Sequence, residues 1–212
     1  MQKLSYTFAL LLAASLIFTS CRNNDNTTDP GVVINGIRWA TRNLDYPGTF
    51  APYPHSTGRL YQWGTLNGET HHWAATGAIT GWNSNSFDRV AWTTANDPCP
   101  PGWRVPTRAE FDALLNAGYE WTTRSGVNGT VFGSGNNTLF LPAAGFRFAD
   151  GTLTLFDIGT LTLSDVGTDG YYWSSSPNTH ATHAMNLFIW QGINSVNRNP
   201  RAHGFSVRCV AE

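Results

Sequence analysis

The amino-acid sequence predicts an α+β domain: mostly antiparallel sheet, one main helix at about 108–117, and long irregular loops. Three observations lead there. Stretches such as TLTLFDI, TLTLSDV and HAMNLFIW alternate with period two, and turn dipeptides such as Asn35-Gly36 and Asp150-Gly151 separate strand-like runs. Only one segment carries a full set of helix signals. With 21 Gly, 11 Pro and 9 Trp in 212 residues, the remaining chain is rich in turns and in aromatics that need several layers of side chain to cover them, which favours a loop-rich fold over a small bundle.

The N-terminus reads as an export signal. Met1-Gln2-Lys3 carries the positive charge, Tyr6 to Phe18 is apolar, and Phe18-Thr19-Ser20-Cys21 places small residues before a cysteine. This is the order of a bacterial lipoprotein signal peptide over residues 1–20, with acylation expected at Cys21; a plain secretory signal with a chance cysteine is the alternative, and either one exports the protein. Residues 21–31 contain no apolar side chain that could pack after Cys21, so they are expected to form a flexible tether, about ten residues of which reach roughly 17 Å. Residues 32–212 are expected to form a single domain, monomeric and held at the outer membrane or cell surface. Export also favours a disulfide between Cys99 and Cys209, worth on the order of 3 to 5 kcal/mol in the chain-entropy model.

Within the domain, Val32–Ile34, the Asn35-Gly36 turn and Ile37–Trp39 make a hairpin. From 45 to 96 the periodicity is weak, and the YQWG, HHW, GW and AWTT pieces read as loops pinned by aromatics. The helix follows, with Thr107 as N-cap and Glu110 completing a capping box. Phe111, Leu114 and Leu115 lie on its inner face and Gly118 ends it. Strands resume at 139 with LFLPAAGFRF, the Asp150-Gly151 turn and the two TLTL segments. YYWSSS, HAMNLFIW and GFSVRCV complete the domain as three strands joined by polar loops.

Taken in this order, DPCPPGWRVPTRAEFDALL, LFLPAAGFR, GYYWSSS and GFSVRCV resemble the Fibrobacter succinogenes major paralogous domain, found in many exported bacterial lipoproteins. The resemblance covers nearly all of the chain after the tether and implies a C-type-lectin-like fold. A narrower resemblance is to the variable proteins of diversity-generating retroelements, in which adenine mutagenesis scatters Asn codons within a C-terminal segment. Asn178, Thr179, His180, Thr182, His183, Asn186, Phe188, Ile193, Asn194, Ser195, Asn197, Asn199 and His203 fit that pattern, between a YWSSS lead and a GFSVRC end. Met185, Trp190 and Gln191 cannot arise from an Asn codon in this way and would be framework.

Composition and spacing narrow the chemistry. A net charge of −1 and a single lysine, Lys3, leave no basic cluster, so nucleic acid is not an expected partner. His71-His72 are adjacent and His180 and His183 are three apart, and an extended strand would not put either pair on one face, so neither metal nor cofactor is expected. The calcium-site motifs of true C-type lectins are not in the sequence. Ser174–Ser176 lack a nucleophile elbow, and the cysteines suit a bridge better than the reactive pair of the formylglycine-generating enzymes, to which the family is related. Paired carboxylates remain open: Asp150 sits in a turn and Asp165 and Asp169 flank a Gly-rich loop. An enzyme is therefore the third reading.

The first is recognition. Alternation in HAMNLFIW sends Met185, Leu187 and Ile189 to the core and Asn186, Phe188 and Trp190 to the surface. The expected ligand-binding set is Asn178, Thr179, His180, Thr182, His183, Asn186, Phe188, Trp190, Asn194, Asn197, Arg198, Asn199 and His203. Rigid aromatics among short polar side chains have the composition of a binding surface, here for an extracellular protein or glycan, with Arg198 and Arg201 as its full charges. Packing of Phe188 and Trp190 beneath a loop is the opposing possibility. A structural module of an envelope assembly, without a dedicated ligand, is the second reading.

Overall fold

The structure is a computed structural model that describes residues 26–66, 68–69, 82–85, 90–151, 154–155, 161–162 and 164–212. The expected signal peptide, Cys21 and His71-His72 lie outside these residues. The elements run β1 (Val32–Ile34), β2 (Ile37–Trp39), β3 (Leu60–Gln62), β4 (Gly68–Glu69), β5 (Trp103–Arg104) and α1 (Arg108–Leu115). They continue as β6 (Tyr119–Arg124), β7 (Val127–Ser134), β8 (Asn137–Pro142), β9 (Thr154–Leu155), β10 (Leu161–Thr162) and β11 (Asp169–Pro177). The last four are β12 (His183–Trp190), β13 (Ile193–Pro200), β14 (Gly204–Phe205) and β15 (Val210–Ala211). All pairings between these strands are antiparallel and α1 is the only helix among the described residues, so the fold is α+β.

The first hairpin forms as its turn dictates: Asn35 and Gly36 both take positive φ, 48° and 78°, which reverses the chain between two three-residue strands. β2 then pairs with β15, and β15 with β5, in a four-stranded sheet ordered β1-β2-β15-β5. Helix α1 begins at the expected cap. The Thr107 side chain accepts from the Glu110 N–H at 3.3 Å, and the Thr107 N–H donates back to Glu110 Oε2 at 2.6 Å. It ends two residues earlier than expected, at Leu115, with Asn116 as C-cap.

Three further findings alter the expected strand list. β6 and β7 form a hairpin that continues into β8, giving the sheet β6-β7-β8. In β6 every residue is exposed or half-buried, so it carries no alternating signal. INSVNRNP, expected as a polar loop, is strand β13. GFSVRCV divides into β14, which pairs with β3, and β15, which joins the β2 sheet. One segment thus stitches two sheets together.

Residues 26–31, within the segment expected to be a tether, contact the domain. The buried Asp29 carboxylate accepts from the Gly31 and Thr41 N–H groups, both at 2.8 Å, and pairs with Arg42 Nε at 3.0 Å, which holds the chain from Asn26 onward against the domain.

The sheet β11-β12-β13 lies between two apolar clusters. On one side Tyr172, Leu187, Ile189 and Val196 pack with Trp39, Phe111 and Leu114 of the hairpin and helix; on the other, Trp173 and Ala184 pack with Trp63, Phe146 and Phe205. The expected Cys99–Cys209 disulfide is present, spanning 110 residues with a Cα–Cα distance of 6.2 Å. It lies in the second cluster and ties the segment before β5 to the one before β15.

Candidate functional site

The β12–β13 hairpin is built by a two-residue turn, Gln191-Gly192, with every position from His183↔Pro200 to Trp190↔Ile193 in register. β12 therefore sits in the middle of its sheet and β13 on the edge. Met185, Leu187 and Ile189 are buried, as their alternation predicts.

The opposite side divides. Trp190 is 43% exposed and Ile193, its cross-strand partner, 54%, so the hairpin tip presents an apolar pair to solvent. Phe188 is half-buried, its ring 5.1 Å from Tyr171, and faces Ser195 across the strands. Asn197 is exposed. Asn186, expected in the same surface stripe, is fully buried, because it lies opposite Trp173 on one side and Asn197 on the other, in the centre of the sheet. Its Oδ1 accepts from Asn199 Nδ2 at 2.9 Å, while its own Nδ2 has no partner among the described residues.

Asn194 and Arg198 correct the one-sided reading as well. They pair with Ile189 and Met185, which puts them on the helix side of the sheet. Asn194 is buried there, its Oδ1 accepting from the Trp190 N–H at 3.2 Å and lying 3.5 Å from Thr130 Oγ1, whereas Arg198 reaches solvent. Arg201, expected to be a surface charge, is buried with its guanidinium 4.4 Å from the Trp63 ring and its Nε donating to the His183 carbonyl.

The turn at 178–183 assembles the remaining polar members. Asn178, Thr182 and His183 are half-buried and Thr179 and His180 exposed. Because this stretch is a turn and not an extended strand, it brings together the two imidazoles that strand spacing would separate: His180 Nδ1 and His183 Nδ1 lie 3.2 Å apart, and the Thr182 hydroxyl is 2.8 Å from each. Burial, then the charges of His180, Arg198 and Arg201, hold His183 below the ordinary imidazole range. Among the described residues no three His, Cys, Asp or Glu side chains gather as a metal-binding group.

His203 lies at the far end of the surface. Its ring stacks on Phe146 at 5.6 Å and meets Phe148 edge-on at 6.3 Å. Burial pushes its pKa down to about 4, the His183 charge lowering it further and Asp150 opposing. Phe148 is 38% exposed and extends the aromatic surface beyond the residues expected from sequence; alternation puts it on the same side as the buried Phe146, so the sequence carried no signal of its exposure. The three serines are engaged with the backbone. Ser174 Oγ donates to the Met185 carbonyl, Ser175 Oγ to that of Pro106, and Ser176 Oγ accepts from the N–H of Arg108 at the start of α1.

A family model described as the Fibrobacter succinogenes major domain matches residues 32–211, from the first strand of the hairpin into the last strand of the β2 sheet. The chain belongs to this family. The match includes all the described strands, α1 and both cysteines of the disulfide, so the surface just described is part of the Fibrobacter succinogenes major domain and not an addition to it. No curated protein and no solved structure matches the chain.

Proposed function

We propose that this member of the Fibrobacter succinogenes major domain family is a C-type-lectin-like binding protein, exported and anchored by acylated Cys21 at the outer membrane or cell surface, which captures an extracellular protein or glycan without catalysing a reaction. The observation that carries this reading is the division of labour in the β12–β13 hairpin. Met185, Leu187 and Ile189 are buried, while Trp190, Ile193, Asn197, Thr179 and His180 face solvent on the same hairpin and adjoining turn. Half-exposed aromatics beside short polar groups supply contact area with little loss of side-chain entropy. The surface is broad and open, which suits a macromolecule. Arg198, the hairpin's exposed full charge, turns to the opposite side of the sheet and so sets no charge preference for this face.

The lectin-like assignment draws on the first hairpin pairing with the last strand, on the flanking helix, and on the irregular loop between β2 and β3. Binding without catalysis is supported by the serines, whose hydroxyls serve backbone groups. Diversification by a retroelement fits the exposed positions better than the buried ones. Variation at Thr179, His180 and Asn197 leaves the packing untouched, whereas Asn186 and Asn194 are enclosed. A near-copy of the coding segment in neighbouring DNA, differing mainly at adenines, is the expected signature.

The test is retention of secreted proteins and glycans from the native habitat on the immobilised domain, compared with a Trp190→Ala/Asn197→Ala variant of unchanged melting temperature. Affinity for any identified ligand should fall at least about tenfold, or 1.4 kcal/mol. Equal binding by both proteins would overturn the assignment of the face. For the anchor, Cys21→Ser should move the protein from the membrane to the soluble fraction.

A further inference from the structure

The loop between β2 and β3, with Val127 of β7, borders an open concave site separate from the β12–β13 surface, about 500 Å³ in volume and lined by Asp45, Tyr46, His55, Ser56, Thr57 and Arg59. Its walls are braced before any ligand arrives. Asn43 Nδ2 donates to the Thr57 carbonyl at 2.9 Å, the Arg59 N–H to the Leu44 carbonyl at 3.1 Å, and the Ala51 N–H to the Asn43 carbonyl at 2.8 Å. Asn43 is itself held by the buried Arg208, 2.8 Å from its Oδ1. Gly58 takes φ +67°, and a Cβ there would meet the Leu44 carbonyl oxygen at 2.2 Å, so the close approach of the two walls requires glycine.

The chemistry of the lining is that of a receptor for a neutral polyhydroxylated ring. Tyr46 in the lining is 57% exposed, unusual for a ring with a hydrophobic body. The Arg59 guanidinium lies 3.3 Å from the centre of the Tyr46 ring and stiffens it, and the lining ring of His55 is held by Tyr53, which is not itself in the lining and stacks on it with planes 1° apart. Arg59 Nε is 3.5 Å from Asp45 Oδ1, so the one carboxylate and the one guanidinium offset each other and neither a cation nor an anion is preferred. The Asp45 side chain keeps 31% of its surface in solvent, where its oxygens can accept from hydroxyls, and Ser56 and Thr57 are only half-buried. Aromatic faces for the C–H side of a sugar, with acceptors and hydroxyls converging on one edge, fill a volume within the range of small-ligand sites.

We infer that this pocket binds a neutral hexopyranose, free or as the terminal residue of a glycan. The site is independent of the hairpin surface. The test is a titration of the folded domain with D-glucose, D-galactose and D-mannose to roughly 20 mM, followed by NMR at the amides of Ser56, Thr57 and Gly58; millimolar affinity corresponds to about 4 kcal/mol. At least one hexose should give saturable shifts there. Tyr46→Ala, a change at an exposed ring, should weaken them at least tenfold, Asp45→Asn should also weaken them, and Trp190→Ala should leave them unchanged. A polysaccharide ending in the same hexose distinguishes the two sources: tighter binding than the free sugar identifies a glycan terminus, equal or weaker binding a free sugar. Absence of saturable shifts with all three hexoses, shifts that survive Tyr46→Ala, or shifts confined to β12 and β13 would overturn the assignment.

Discussion

At the scale of single residues, the hairpin separates side chains that hold the fold from side chains that face outward, and the separation is measurable. Leu187 is fully buried between helix and sheet, so Leu187→Ala leaves a cavity and should cost about 2 to 5 kcal/mol in thermal or denaturant unfolding. His183→Ala, in the half-buried turn, should stay within about 0.5 kcal/mol. Asn186 behaves as an interior residue: losing its bond from Asn199 and its volume should cost Asn186→Ala about 1 to 2 kcal/mol. His203 adds a pH dependence. Its folded pKa, about 4, lies below the ordinary 6.5, so between these values the unfolded chain binds a proton that the folded one does not. Stability therefore falls as pH drops from about 6.5 to 4 and is unaffected by this group above that window. After allowance for partial solvent exposure the loss is on the order of 1 to 2 kcal/mol. His203→Phe should remove this component of the slope in melts from pH 7 to 4; an unchanged difference between the pH values would count against it.

At the scale of elements, α1 depends on its N-terminus because it is only eight residues long. Glu110 joins the cap to the sheet: its carboxylate accepts from the Thr107 N–H and hydroxyl and also receives both Arg104 terminal nitrogens, at 2.9 and 2.6 Å, from β5. Burial raises the Glu110 pKa, but the bonds from Arg104 and Thr107 outweigh it and hold the group below its usual value. The associated stability is present above the ordinary carboxylate range and is lost as pH falls through the lowered folded value. Thr107→Ala should cost about 1 kcal/mol and Thr107→Ser much less, read as a shift in denaturation midpoint with unchanged slope.

At the scale of the whole molecule, β15 and the disulfide close the domain. Cys209 is joined to Cys99 across 110 residues, and the next residue, Val210, lies between Trp39 and Arg104 in the sheet. A loop of this length gives about 4 to 5 kcal/mol in the chain-entropy model. The Cys99→Ser/Cys209→Ser variant should melt about 10 to 15 °C below the parent, at about 2 to 4 °C per kcal/mol for a domain of this size. The same drop should follow reduction of the parent, and reduction should not affect the variant.

Local signals were legible in the sequence wherever the physics was local. Asn35-Gly36 reverses the chain by its own φ preferences, Thr107 and Glu110 cap a helix within four residues, and Met185, Leu187 and Ile189 declare an inner face by period two. The two cysteines of the domain, in a chain whose N-terminus reads as an export signal, pointed to their bridge, and the order of motifs from DPCPPGW to GFSVRCV pointed to the family. Tertiary structure decided what depends on neighbours far along the chain. Asn186 is buried because Trp173 and Asn197 flank it across the sheet. Asn194 and Arg198 turn to the helix side because INSVNRNP pairs with β12, a partnership its polar composition conceals. Asp29 is fixed against the domain because Thr41 and Arg42 donate to its carboxylate from far along the chain. Alternation tells which residues share a side of a strand, but burial of that side is set by what the rest of the molecule packs against it, and for a neutral polar side chain the sequence carries no hydrophobic signal of the outcome.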